Sequence, residues 1–377
     1  MKKKTVAEGA TEGDKPVLAV TCGDPCGVGP EIVLRAVAEE ATAKKARLVV
    51  LGGEKHLRRL ARELKIRWPF AHVVDEVPAS RRWERPVLVD LGPGNEEWLP
   101  GKISAGAGKA AVVAIERAVT MALDKQVDGI VTAPIHKEAL SLAGCSDPGH
   151  TEMLERLSGA RKVGMLFWTP EMAVGLLSTH MSLREAMKKI RCSRIAEMLI
   201  LFHDQWQRFF GVVPHIAVAA LNPHAGEGGR FGHEEIQEIQ PAIEKAREKG
   251  LRVDGPIPAD SVFAMAREGR FDLVLALYHD QATIPVKLVS RQKSVNVTVG
   301  LPFVRTSVDH GTAMDIAGKG GWPVRRASWR RSGSPPASPD AENRVCAARC
   351  CQRCRRDERR ASSPPRGRLA EASSSSM

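Results

Sequence analysis

Three histidines each lie just beyond an apolar, strand-like run: His180 after residues 174–178, His224 after 216–221 and His279 after 273–277. In open α/β sheets, ligands bind beyond the carboxyl ends of the strands, so this repeated placement predicts one shared site. Three neutral imidazoles converging on a point would bind a divalent metal and leave a coordination position for substrate. The competing expectation is that each histidine closes its own strand and the three never meet. The run His279-Asp280-Gln281-Ala282-Thr283-Ile284-Pro285-Val286-Lys287 adds an ammonium, Lys287, to bind substrate or relay a proton beside a metal-bound oxygen. Residues 222–230 set His224, Glu227 and Arg230 in one glycine-rich loop, a favoured setting for functional groups.

Other groups point to anion binding. Asn296 and Arg305 flank the turn Gly300-Leu301-Pro302, and Arg305 suits bidentate capture of an anion; its bland alternative is a surface salt bridge. Gly149-His150-Thr151-Glu152 opens a helical segment, where it serves either a phosphate or hydroxyl ligand or a capping box. Gly23-Asp24-Pro25-Cys26-Gly27-Val28-Gly29-Pro30-Glu31 joins the first strand to its helix. Its glycines let the backbone approach a ligand, although it matches neither the dinucleotide fingerprint nor the P-loop. Residues 309–320 are too glycine-rich and polar for core. Their backbone can wrap a planar ring, with Asp315 accepting from ribose hydroxyls.

These residues must be positioned by an alternation of elements. Strand patterns at 16–21, 46–51, 85–91, 128–132, 162–168, 172–178, 215–221, 271–277 and 294–298 alternate with helical patterns. The helices fall at 30–40, 56–64, 104–125, 137–142, 153–157, 193–210, 233–249 and 260–267, the last capped by Asp260. Such alternation predicts an α/β fold with a largely parallel sheet, and two lobes around a cleft. Residues 169–171 read as the turn of a hairpin.

Bulk properties narrow the function classes. With 377 residues, 43% of them hydrophobic, a sizeable core is available. The eight cysteines include no C-x-x-C pair in the body, which predicts a reducing cytoplasm. Residues 1–15 read as a flexible N-terminus without the apolar stretch of a signal peptide, and no run approaches the ~20 apolar residues of a membrane span. Residues 322–377 hold 13 Arg against five acidic residues, so +8 of the net +12 sits there. The body is nearly balanced and predicts neither nucleic-acid nor membrane partners; an Arg-rich tail that binds nucleic acid is the outlying alternative. Residues 321–377 are rich in Arg, Ser, Pro and Cys and read as disordered. Cys346, Cys350, Cys351 and Cys354 lack the spacing of a zinc knuckle.

Five of these motifs, in this order, resemble the 4-hydroxythreonine-4-phosphate dehydrogenase family of pyridoxal phosphate biosynthesis, including its 4-phospho-D-threonate and 4-phospho-D-erythronate dehydrogenase relatives. They are Gly-Asp-Pro-x-Gly-Val-Gly-Pro-Glu, Gly-His-Thr-Glu, Asn-Pro-His-Ala-Gly-Glu-Gly-Gly, His-Asp-Gln-x-x-Ile-Pro-x-Lys and His-Gly-Thr-Ala-x-Asp-Ile-Ala-Gly. The resemblance spans residues 16–320 and implies a two-lobed, isocitrate/isopropylmalate dehydrogenase-like fold. It implies His180, His224 and His279 as ligands of zinc, cobalt or magnesium. It implies that His150, Thr151, Lys287, Asn296 and Arg305 contact substrate, with Lys287 catalytic. It also implies a loop, with His310, Gly311, Ala313, Asp315 and Gly318, that holds the adenosine of NAD or NADP. The family works as a homodimer with sites near the interface. The implied reaction oxidises a C3 hydroxyl and then releases carbon dioxide. Two alternatives stand beside it: the sugar-acid phosphates as substrate, and a metal-dependent hydrolase built on the three histidines. This sequence departs from the family at Cys26, where a small apolar residue is usual. It departs again after Gly320, where a closing helix gives way to the Arg-rich text that a shifted reading frame in a GC-rich gene would write. Resequencing that finds no insertion or deletion there excludes this hypothesis.

Overall fold

The computed structural model describes residues 15–319, apart from 82, 93–97 and 291–293. The first half runs β1 (Val17–Thr21), α1 (Gly29–Ala38), α2 (Glu40–Ala43), β2 (Arg47–Gly52), α3 (Glu54–Glu63), β3 (His72–Val74), β4 (Val87–Asp90), α4 (Ala105–Leu123), β5 (Gly129–Thr132), α5 (Lys137–Leu142) and α6 (His150–Ser158). The second half runs β6 (Gly164–Trp168), β7 (Ala173–Leu176), α7 (Leu183–Lys188), α8 (Cys192–Phe210), β8 (His215–Ala219), α9 (Gln240–Glu248), β9 (Arg252–Ile257), α10 (Ala259–Arg267), β10 (Leu273–Ala276), α11 (His279–Val289), β11 (Val295–Val299) and β12 (Val304–Ser307).

All strands join one sheet in the order β3-β4-β2-β1-β5-β12-β11-β6-β7-β10-β8-β9. Pairing is parallel at both ends and antiparallel only through the centre, at β12–β11, β11–β6 and β6–β7. The predicted α/β class with a largely parallel sheet is therefore what the chain adopts. The 169–171 hairpin forms as predicted, with the Thr169 hydroxyl donating to the Met172 carbonyl at 2.9 Å.

Period-two alternation sorts each strand's side chains onto two covered faces, so the inner strands are largely buried, while the edge strands β3 and β9 are partly exposed. Leu18, Val20, Leu48 and Val50 pack with Val33, Leu34 and Val37 of α1 and with Leu57 and Leu60 of α3. Val17, Ala19, Val49 and Leu51 pack on the opposite face with Ala114, Ile115 and Ala118 of α4. In the other half, Val174, Ala217 and Val274 face Val262 of α10 and Val286 of α11.

Several elements escaped the sequence pattern. β9 contains Gly255-Pro256, which breaks a strand signature. α11 contains Pro285, which argues against a helix. β12 is four residues long and carries Arg305, so it lacks an apolar run. The helix predicted at 233–249 is a π-type turn over Glu235–Ile239 followed by α9. Asp260 is not the cap of α10: Pro258 holds that position and Asp260 sits in the first turn, accepting a bond from the Ser261 hydroxyl. Residues 1–14 and 320–377, which include the predicted N-terminal and Arg-rich segments, lie outside the described residues.

α4 lies against α5 because Gly108 has no side chain; a Cβ there would sit 2.0 Å from the Ala139 carbonyl oxygen. In an exposed helix, Gly→Ala gains up to ~1 kcal/mol. Here overpacking against backbone should reverse the sign, and Gly108→Ala is expected to lose about 1–3 kcal/mol. Urea denaturation measures this, and an unchanged or raised midpoint would contradict the close approach.

Candidate active site

The carboxyl ends of β1, β5 and β12 and the amino end of the antiparallel β11 form a polar row. Thr21 of β1 pairs with Thr132 of β5, Thr132 with Ser307 of β12, and Ser307 with Asn296 of β11. One step back, Arg305 pairs with Thr298. A cavity of about 800 Å³ opens over this row, bounded by the start of α6, the segment 176–181 and the start of α8.

Arg305 is the unusual group. Its side chain is 3% exposed. Nε and Nη2 donate to the Thr132 hydroxyl at 3.2 and 2.7 Å, and Nη1 donates to the Thr298 hydroxyl at 2.8 Å. A guanidinium has five N–H donors, so two remain for a ligand. Arg305 forms no ion pair among the described residues, which corrects the surface-salt-bridge alternative. Burial lowers its pKa to about 10, which leaves it charged at neutral pH. An unneutralised buried cation costs several kcal/mol and is retained where an anion is to be bound.

His150 begins α6 beside it. Gly149 occupies the N-cap position without a side-chain cap bond, so the capping-box alternative is not what forms. Burial first, and the Arg305 charge second, hold the His150 imidazole well below its ordinary pKa. Its Nε2 is buried without a hydrogen-bond partner among the described residues, as is Oδ1 of Asn296. Both residues border a cavity that Thr151, His310 and Gly311 also line.

The three histidines follow β7, β8 and β10, which are neighbours in the sheet in the order β7-β10-β8. His180 and His279 come together, with ring centroids 5.2 Å apart and planes tilted by 46°. Desolvation first, then His279, Lys137 and Lys287, lower the His180 pKa, while Glu152 opposes them. A neutral imidazole is the form that ligates. This pair fits two donors of a divalent-ion site. Among the described residues, no group of three His, Cys, Asp or Glu gathers at metal-binding range, so His224 does not join them within one chain. It sits in Pro223–Gly229, where His224 through Gly228 all have positive φ, and its ring lies 6.4 Å from that of Phe231. Left-handed residues other than glycine cost roughly 1–2 kcal/mol each. Here the backbone is held by Glu235, whose Oε1 accepts from the Leu221 and Asn222 amides at 2.8 and 2.7 Å.

Lys287 lies two turns along α11 from His279, close enough to act on His180 electrostatically, but it does not line the cavity. Lys137, Thr132, Thr298 and Glu152 border or brace the site and were not singled out from sequence. Lys137 had a usable signal: like the histidines, it follows a strand end, here β5. The loop 310–318 runs beside the cavity mouth. Ala313 has φ of 43° and Gly318 of 76°, and Asp315 is exposed with no ion pair among the described residues. Exposed backbone with an available carboxylate fits a nucleoside with ribose hydroxyls.

Residues 44–328 match the family described as "Pyridoxal phosphate biosynthetic protein PdxA". This chain belongs to the PdxA family. It is 43% identical, over 81% of its length and 92% of the relative, to D-threonate 4-phosphate dehydrogenase of Cupriavidus necator. It is 45% identical, over 80% and 89%, to 4-hydroxythreonine-4-phosphate dehydrogenase of Beijerinckia indica. It superposes on the 4-hydroxythreonine-4-phosphate dehydrogenase of Klebsiella pneumoniae with a TM-score of 0.79 at 38% identity, covering 90% of this chain and 98% of that one. The PdxA chain is therefore an oxidoreductase, and the hydrolase alternative has no support among these relatives. No helix of the described residues is long and apolar enough to cross a membrane.

Two predictions come from this geometry. Arg305→Met removes an unpaired buried charge, so the denaturation midpoint should hold within about 1 kcal/mol. KM for an anionic substrate should rise about tenfold or more, the size of one charged hydrogen bond; a collapsed fold with unchanged KM would make Arg305 structural. The second concerns pH. The unfolded chain protonates His150 near pH 6.5, whereas the folded chain resists protonation there. Stability from this group is complete above pH 6.5 and declines as pH falls below it. His56, lowered to about 4 by burial and then Arg59, acts with the same sign. Denaturation at pH 7 and pH 5 should show the loss, and His150→Asn should flatten it. Equal slopes in the two proteins would contradict the buried neutral imidazole.

Proposed function

We propose that the cavity takes 4-phosphohydroxy-L-threonine and that the protein oxidises its C3 hydroxyl with NAD or NADP. The 3-oxo acid then loses carbon dioxide, giving 3-amino-2-oxopropyl phosphate in pyridoxal phosphate biosynthesis. The observation that carries the reading is Arg305: a buried cation with two free N–H donors and no counter-ion among the described residues, at the floor of a polar cavity in a dehydrogenase family. It supports an anionic substrate, and the unpartnered His150 Nε2 and Asn296 Oδ1 supply a further ring nitrogen and an acceptor.

The chain's residues divide the work. Arg305, His150 and Thr151 bind the phosphorylated acid, and Asn296 orients its polar substituents. Lys287 lies outside the cavity lining of its own chain, so in a homodimer it serves the site shared with the partner copy, where its neutral amine takes up the C3 hydroxyl proton; NAD or NADP would supply the hydride acceptor. The C–C bond to the carboxylate then breaks and its electron pair becomes an enolate, which Lys287 reprotonates. His180 and His279 would hold a divalent ion, which would supply charge stabilisation for the developing negative charge on the C3 oxygen. Imidazole donors favour zinc or cobalt over magnesium. Asp315 and the backbone of His310, Gly311, Ala313 and Gly318 would hold the ribose of the dinucleotide.

The third metal ligand, His224, is completed in a homodimer, in which one site draws on both copies. α11 supports this, because Ile284 and Leu288 lie one turn apart and are 57% and 80% exposed beside the metal-site helix start. We take residues 16–320 as one two-lobed body and the cytoplasm as its setting. A second reading, 4-phospho-D-threonate or 4-phospho-D-erythronate as substrate, is favoured by the name of the Cupriavidus necator relative.

NADH absorbance with 4-phosphohydroxy-L-threonine and with 4-phospho-D-threonate, each with and without added metal, separates the two. The proposal expects metal-dependent turnover of the first; preference for the second assigns the protein to sugar-acid catabolism. Lys287→Ala should lower kcat by about 10²-fold or more. A kcat within twofold of the parent would remove Lys287 from proton transfer.

A further inference from the structure

The turn that joins β1 to α1 has the composition of an anion cradle, three glycines ahead of a helix N-terminus. The cradle is already filled by the chain itself. The Val28 amide donates to the Thr312 carbonyl at 2.9 Å. The Gly318 amide donates to Glu31 Oε1 at 2.5 Å, across 287 residues of sequence. Val28 and Ile32 of this turn and helix pack with Ala317, and Ala313 and Ile316 lie against them. A Cβ on Gly27 would stand 2.9 Å from the Thr312 carbonyl oxygen. The turn is in turn fixed from behind. Asp24 accepts from the Cys26 amide at 2.8 Å, and its own amide donates to the Pro134 carbonyl at 2.9 Å. Every one of these contacts reaches the segment 312–318 or steadies the turn that does.

We propose that the turn 23–31 is the clamp that shapes the 310–318 loop, and that Glu31 is a positioning residue for the dinucleotide. The inference rests on the reading of that loop as the nucleotide site. Glu31 is 2% exposed, and its Oε2 has no partner among the described residues. It occupies the first turn of α1, where the helix N-terminus offsets a carboxylate's charge. A charged acceptor holds one backbone amide more firmly than a neutral one. The Val28–Thr312 bond and the packing of Ala317 hold the start and middle of the loop, and Glu31 is the side chain that fastens its left-handed end at Gly318. The Arg305 cavity floor shares none of these bonds, so the effect should fall on the nucleotide and spare the phosphorylated acid.

The test compares Glu31→Ala, Glu31→Gln and Gly27→Ala with the parent protein. Three quantities are read: NADH dissociation constant by fluorescence titration, separate KM values for NAD and phospho-acid, and amide hydrogen exchange of residues 311–319. Glu31→Ala should speed exchange in that segment and weaken NADH about tenfold, the loss expected for one charge-assisted bond. KM for the acid should stay within twofold. Glu31→Gln keeps an acceptor oxygen and should recover most of the affinity. Gly27→Ala, which pushes on Thr312, should weaken NADH as well and reads the clamp if Glu31→Ala does not fold. Unchanged NADH affinity in both Glu31→Ala and Gly27→Ala overturns the proposal, as does an equal rise in both KM values. Asp315→Ala separates the premise from the inference. If it weakens NADH while the clamp variants do not, the loop binds nucleotide and the clamp idea fails. If it too has no effect, the nucleotide reading of the loop has failed.

Discussion

A positive charge is buried at the centre of the sheet without a counter-ion among the described residues, and the surrounding structure is arranged to tolerate it. Arg305 lies on β12, where parallel pairing to β5 meets antiparallel pairing to β11. Both neighbours contribute a threonine hydroxyl to the guanidinium. These are neutral acceptors: they fix the plane of the group and leave its charge unspent. A carboxylate at either position would satisfy Arg305 and close the site to an anionic ligand. The same field, with burial, keeps His150 neutral, so the one ionisable ring nearest the anion site adds no charge of its own.

The loops around this centre are held by bonds of long sequence separation. Glu31 secures Gly318, and Glu235 secures the backbone at 221–222 behind the left-handed run containing His224. In both cases a carboxylate with little or modest exposure accepts from main-chain amides, and in both the segment it steadies holds residues at positive φ. Strain of this kind persists where surrounding structure over-determines it, and it concentrates at functional loops. Placing such loops at strand ends gives a rigid sheet for precision and irregular backbone for chemistry.

Much of this was legible in the sequence, for physical reasons. Strands covered on both faces read as unbroken apolar runs, so β1, β2, β5, β8 and β10 stood out. The helical pattern at 104–125 became α4, which the Ser104 hydroxyl caps by accepting from the Ala107 amide. The elements that escaped are those whose local chemistry opposes their structure: β12 because it carries Arg305, β9 because of Gly255-Pro256, α11 because of Pro285. The first and last of these hold site residues, which is where tertiary context overrides local propensity. Motif order identified the family. It could not show that Arg305 has no ion pair among the described residues, that Thr132 and Thr298 are its acceptors, or that the first glycine-rich turn meets the chain's own loop. Those facts depend on register between strands far apart in sequence.

A crystal structure with metal and the phosphorylated acid bound tests the central claim most directly. The account predicts an anionic oxygen of the substrate about 2.7–2.9 Å from Nη1 or Nη2 of Arg305, with both threonine contacts retained. A substrate seated at the cavity rim against Lys188 and Lys189, with the Arg305 guanidinium untouched, would contradict it.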